Sequence, residues 1–324
     1  MNENDGTRSF DTLRPELNKK PAQSPKKTPN LKKIITISIF AVLTAIILLF
    51  CGIIIAEVAY KFGADVKYST ISVSSSDVKK GDLLIVNKAN PLDTSVASSV
   101  NTKLENVYRY NSELKKDNLD LVIHYSYRDT GAIALLPEVI EAFNKMTTDL
   151  YNETGCDDVL LAYGHLTPKE NTLEIDYPHQ LGTTVDVKLS VDGETMRLSK
   201  NATVYTWLLK NSHKYGFVNS DPNETVHGSD EIVPSTQFRY IGIPHATYIA
   251  ESETISNFEQ YVAELRNTYN APSKALIVES GSEVYSIYYV AATDGDTVSI
   301  EIPENYEYTV SGDNSNGFIV TVYR

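Results

Sequence analysis

From Ile34 to Ala56 the chain carries no charged side chain and is mostly Ile, Leu, Val, Ala and Phe. As a helix rising about 1.5 Å per residue, such a run is long enough to cross a hydrocarbon core of about 30 Å. It is therefore expected to be a transmembrane helix over 34–56. A cleaved leader would have a shorter apolar stretch and a small-residue cleavage site, for which Ala56-Glu-Val-Ala59 is a weak match. Lys19, Lys20, Lys26, Lys27, Lys32 and Lys33 precede the run, with no acid after Glu16. That basic flank places the N-terminus in the cytoplasm and everything after Glu57 outside. The expectation is a single-pass cell-membrane protein with an extracellular C-terminal part.

Residues 1–33, rich in Pro, Lys, Asn and Ser, cannot bury enough apolar surface to order themselves and read as a disordered basic cytoplasmic tail. The formal net charge is -13 over 324 residues. With the basic residues concentrated before the apolar run, the remainder is more acidic still, which excludes a nucleic-acid binder. Cys51 lies in the apolar run and Cys156 is alone beyond it. No intramolecular disulfide is expected, so stability must come from a core.

Beyond the membrane, 57–118 reads as a stalk and N-terminal strand region. It contains alternation over Val66–Val73, a short buried strand in Gly81-Asp-Leu-Leu-Ile-Val-Asn87, and a polar surface excursion over 95–118. The core is expected over 119–270. Strands are predicted at Leu119–Ser126, Asp158–Ala162, Thr183–Leu189, Tyr215–Val218 and Phe238–Ile243. Helices are predicted from Pro137 (stripe Val139, Ile140, Phe143, Met146, Leu150), through Val204, Trp207 and Leu208, and from Ser252 to Tyr269. This is an α+β pattern. Over 271–324 short alternating strands separated by Gly281-Ser, Asp294-Gly and Asn314-Ser-Asn-Gly317 predict a small all-β appendage.

His179 and Asp186, in Tyr177-Pro-His-Gln-Leu-Gly-Thr-Thr-Val-Asp-Val187, are spaced like two ligands of a zinc peptidase. Four blocks in order carry a resemblance. They are Asp158-Val-Leu-Leu-Ala-Tyr-Gly-His165, Tyr177–Asp186, Trp207-Leu-Leu-Lys-Asn-Ser-His-Lys-Tyr-Gly-Phe217, and Phe238-Arg-Tyr-Ile-Gly-Ile-Pro-His-Ala246. Together they resemble VanY-type D-alanyl-D-alanine carboxypeptidases, and Gly81–Asn87 and Tyr308–Val322 resemble the flanks of anchored members. The resemblance implies a LAS/hedgehog-type zinc peptidase core, helices packed on a small antiparallel sheet, that trims D-alanine from peptidoglycan stem peptides.

The family's motifs are an Arg after Ser-Gly-Tyr, then Ser-x-His with Gly and Asp downstream, then Glu-x-x-His before Phe-Arg-Tyr. Here His179 and Asp186 match the first two zinc ligands, but Gln237 stands at the third and Pro234 at the general base. Tyr177 replaces the motif Ser, and His165 stands near the substrate-facing Arg. An amide oxygen is a poor substitute for imidazole on zinc, and proline has no ionisable group. Weak or absent zinc is expected, with no residue assigned a catalytic role. A site rebuilt from His165, His179 and Asp186 stays open. Trp207, Tyr215, Phe238 and Arg239 are expected to wall a substrate groove, and His213 and His245 to be scaffold groups. His124 is expected to satisfy a local backbone group, and His227 to lie exposed on a loop. Three readings follow: an inactive pseudopeptidase that binds cell-wall peptide or an envelope protein, an active zinc carboxypeptidase with a rearranged ligand set, or a structural envelope module.

Overall fold

In the computed structural model, residues 66–166, 177–219 and 236–324 are described, together with Val42 and the backbones of Glu224–Thr225 and Ile232–Val233. The side chains of Tyr177 and Pro178 are excepted. The chain divides at Ala64/Asp65, and 65–324 forms one compact unit. The expected tail and transmembrane helix lie outside the described residues, apart from Val42. No helix among the described residues is long and apolar enough to cross a membrane.

The central sheet has six strands: β3 (Ser126–Tyr127), β5 (Val159–Tyr163), β6 (Thr184–Val191), β7 (Glu194–Met196), β8 (Phe217–Asn219) and β11 (Gln237–Tyr240). Their order is β3-β5-β6-β11-β8, with β7 paired to β6. All pairings are antiparallel except β3 with β5. Short strands β2 (Glu105–Asn106) and β4 (Ala134–Leu135) form a separate antiparallel pair, as do β9 (Glu224–Thr225) and β10 (Ile232–Val233). The fold is α+β, as expected.

Alternation along β6 decides what each sheet face does. Val185, Val187 and Leu189 join Phe217, Phe238 and the stripes of two helices in one buried core. The first is α3 (Pro137–Thr154), with Pro in its first turn and Gly155 closing it at φ 69. The second is α4 (Ala202–Asn211), capped by the Asn201 side chain on the Val204 N–H. Thr184, Asp186 and Lys188 therefore point to the opposite face.

Two helices stand where a surface excursion was expected: α1 (Thr94–Lys103), capped by Asp93, and α2 (Val107–Asp117), capped by Asn106. Asn and Asp at these caps satisfy otherwise orphan N–H groups, which permits helices on polar sequence. The expected strand over 119–126 shrinks to β3, leaving Leu119 and Val122 exposed. Gly242 at φ 84 ends β11 early, and Pro244 opens a further helix, α5 (Ile243–Glu251), where strand had been read. The last helix, α6 (Phe258–Thr268), begins only at its Asn257 cap, so Ile255 precedes it.

The C-terminal strands β12 (Leu276–Ser280), β13 (Glu283–Ala291), β15 (Glu307–Gly312) and β16 (Gly317–Tyr323) form an antiparallel sheet in the order β12-β13-β16-β15. β14 (Thr297–Pro303) pairs instead with β1 (Tyr68–Ser74). This sheet shares a core with α5, α6, Leu83 and Ile85, so packing is continuous across residue 270. Leu83–Val86 is buried as expected but is not a strand. Its backbone is held by the Ser311 hydroxyl on the Leu83 N–H, Arg239 on the Leu84 carbonyl, and Asp313 O and the Asn314 amide on Ile85.

Candidate functional site

A 3-10 turn, Tyr177–Leu181, delivers His179 and then reverses at Gly182. Gly182 has φ +68, which favours glycine, and a Cβ there would also stand 2.5 Å from Leu104 Cδ2 and push that side chain aside. The chain then enters β6 directly and presents Asp186 on the face away from α3 and α4.

His179 is fully buried. Its Nδ1 donates to the Gly164 carbonyl, because a carbonyl can only accept. In the neutral ring Nε2 then carries the lone pair, and Nε2 lies 3.5 Å from Asp186 Oδ1. A backbone carbonyl behind Nδ1 is the usual way of orienting a metal-binding imidazole. Asp186 Oδ1 is buried and makes no hydrogen bond among the described residues. The imidazole and carboxylate converge as two donors to a cation would.

The register identifies the third participant. Gln237 pairs with Asp186 across β11 and β6. The Val187 N–H donates to Thr236 O at 2.9 Å and the Tyr240 N–H to Thr183 O at 2.8 Å. By parity Gln237 and Asp186 form a non-hydrogen-bonded pair, the kind whose side chains stand closest, with Cα atoms about 4.5 Å apart. The position expected for the third ligand thus does flank Asp186, and it holds a neutral amide. His165, leaving β5 with its N–H on Ala134 O at 2.8 Å, is half-buried. Burial lowers its pKa, and the neighbouring His179 lowers it further. No group of three His, Cys, Asp or Glu gathers at metal-binding distance among the described residues. Two donors fit zinc, and the set is incomplete without a third. Pro234 and the Tyr177 side chain lie outside the described residues.

The expected groove walls are placed elsewhere. Trp207 and Phe238 belong to the core on the opposite sheet face, and Tyr215 packs against it. Trp207 Nε1 donates to Glu153 at 2.8 Å, and the Tyr215 hydroxyl donates to Asp149 at 2.7 Å, so both are held by the acidic side of α3. Arg239 does share the face of Gln237. However, it is buried, donates to the Leu84 carbonyl at 2.7 Å and stacks over Phe258 at 4.5 Å, a structural clamp rather than a substrate contact. Burial pulls its pKa down to about 10.

Sequence reasoning missed Tyr163, which pairs with Asp186 from the other side beyond a bulge in β5. Arg128 and Lys188 lie over its ring at 4.4 and 5.8 Å. Lys188 was discoverable, two residues beyond Asp186 on a strand, but Arg128 was not.

Among the other histidines, His245 is the scaffold group expected, bonded to Tyr261 (2.7 Å) and Thr321 (3.1 Å). His213 Nδ1 is buried with no hydrogen bond among the described residues. His124 pairs with the Asp157 side chain and stacks on Tyr151, rather than serving a backbone group. His227 lies outside the described residues.

No family profile matches the chain. A D-alanyl-D-alanine carboxypeptidase of Enterococcus faecium is 24% identical over 264 residues, covering 78% of each chain. The vancomycin-resistance D,D-dipeptidase VanXYg, solved with a D-Ala-D-Ala phosphinate analog, superimposes with a TM-score of 0.59 at 20% identity. That match covers 80% of this chain and all of the other. The fold is that of this D,D-peptidase. The chain is thus similar in sequence to a D-alanyl-D-alanine carboxypeptidase and in fold to a D,D-dipeptidase.

Proposed function

We propose that the protein is a membrane-anchored, extracellular pseudopeptidase that holds D-alanine-terminated peptidoglycan stem peptide without hydrolysing it. The observation that carries this reading is Gln237 set against Asp186, where a ligand of full donor strength is needed. A catalytic zinc takes three protein ligands and lowers the pKa of a bound water to about 7. With His179 and Asp186 alone, affinity falls steeply. Pro234 supplies no group to move a proton, and loss of general acid–base assistance alone costs roughly 10²- to 10⁴-fold in rate. What remains is a sheet face bearing Asp186, Gln237, Tyr163, Arg128 and Lys188, whose mixed charge suits a peptide.

The relatives support the ligand class, since one is a D-alanyl-D-alanine carboxypeptidase and another was solved with a D-Ala-D-Ala analog. Nuclear magnetic resonance titration of the full-length protein with a pentapeptide stem should shift the resonances of Tyr163 and Lys188. Unchanged resonances at saturating peptide would sink the binding role. The anchoring follows from the apolar run 34–56 and its basic flank. Protease added to intact cells should digest 57–324 and spare 1–33, and the reverse pattern would overturn it.

His165 favours a second reading, an active zinc carboxypeptidase with a rearranged ligand set, because its imidazole is near enough to His179 to be felt by it. That reading requires zinc binding in the natural sequence that is lost in His165→Ala.

A further inference from the structure

We infer that a second binding site, separate from His179 and Asp186, takes a short peptide with a free ammonium at one end and a free carboxylate at the other. Two cavities, of about 480 and about 200 Å³, share Asp82 and Thr183 in their walls and so lie side by side. Neither is lined by His179, Asp186 or Gln237.

Thr183 is the observation that points to a ligand. It is 3% exposed, and its hydroxyl makes no hydrogen bond among the described residues. A buried hydroxyl without a partner is a costly thing to keep. Thr183 lines both cavities, and a ligand that reaches across it from one to the other would give the hydroxyl its partner.

The charges around the two cavities are segregated. The larger carries Lys80 and Lys103 at its rim, Ser95 and Ser99 on α1, and an apolar floor that includes Leu136 and Leu181. Lys80 also pairs with Asp77 at 2.7 Å, which leaves Lys103 as the cation without an ion pair among the described residues. The smaller carries Glu138, from the first turn of α3, with Tyr240, Tyr323 and Ser311. Asp82, common to both, stands with Glu138 at the acidic end. Burial first, and then Glu138, Tyr323 and Asp82 among its neighbours, raise the Tyr240 phenol, which places these groups around one space. A zwitterion matches this layout: ammonium toward Asp82 and Glu138, carboxylate toward Lys103, and a backbone amide on the Thr183 hydroxyl. An anion or a cation alone would meet the wrong sign at one end.

The test uses the full-length protein in detergent and trialanine as the probe, with its N-acetyl and C-terminal amide derivatives. Trialanine should bind measurably and each capped form about tenfold more weakly, since each cap removes one charge-assisted contact. Thr183→Val keeps the side-chain shape and deletes an unpartnered group. It should leave the melting temperature unchanged or raised while weakening trialanine about tenfold. Lys103→Glu should weaken trialanine and leave the amide derivative nearly unaffected. His179→Ala should not alter trialanine binding. Equal binding of capped and free peptide, a drop in melting temperature of several degrees in Thr183→Val, or loss of binding in His179→Ala with retention in Thr183→Val would each overturn the proposal.

Discussion

Replacing Gln237 by histidine turns the incomplete site into a two-histidine, one-aspartate set. The register makes the effect calculable. Gln237 sits directly across from Asp186 in a close pair, and His179 is already aimed by its bond to Gly164, so the new imidazole joins two fixed donors rather than ordering a loop. Four-ligand structural zinc sites in small peptides bind with about 10–16 kcal/mol, or roughly 2.5–4 kcal/mol for each ligand. A third donor on a preformed pair should thus tighten zinc by about 10²- to 10³-fold. The assay is competition between the full-length protein and a chelator of known affinity, run on the natural sequence and on Gln237→His side by side. Hydrolysis should not return with the metal, because Pro234 still supplies no base, and groups that act as a unit are not restored singly. Unchanged zinc affinity in Gln237→His would refute the geometric argument. Repeating the titration on His165→Ala then shows whether His165 already completes the natural site.

Two further outcomes concern the scaffold. Asp313 is fully buried, with Oδ1 accepting the N–H groups of Ser315, Asn316 and Gly317 and Oδ2 bonded to Arg266 and Tyr289. Asp313→Ala should therefore destabilise by about 3–5 kcal/mol in chemical denaturation, and a loss below about 1 kcal/mol would mean that the loop is held otherwise. His245 is buried and its pKa is pushed down to about 3 by desolvation. The unfolded chain therefore takes up its proton first, so this contribution is full above about pH 6.5 and is lost as pH falls toward 3, at up to about 1.4 kcal/mol per pH unit. The slope should flatten in His245→Gln, and identical slopes would remove His245 as the source.

Much of the core was legible because its signals are local. The stripe from Val139 to Leu150 and the alternation around Asp186 appear as α3 and β6, and the spacing of His179 and Asp186 brought them together. What escaped depends on distant partners. Leu83–Val86 has the apolar content of a buried strand, but its backbone bonds run to Ser311, Arg239, Asp313 and Asn314, which no local pattern encodes. Trp207 and Tyr215 suit a groove wall or a core equally well by composition. The sheet's alternation and the acids of α3 assign them to the core. Arg128 reaches Tyr163 only through the parallel pairing of β3 with β5. Helix α5 was hidden by reading Gly242-Ile243 as the end of a strand, although a Pro just after such a Gly is also how a helix begins.

The proposed pseudopeptidase should turn nothing over, and one assay addresses this directly: release of D-alanine from a pentapeptide stem by the full-length protein, with and without added zinc. The prediction is release no faster than in a protein-free control under both conditions, even where the stem peptide is bound. Zinc-dependent, chelator-sensitive release that disappears in His179→Ala would contradict it and establish an active carboxypeptidase with a rearranged ligand set.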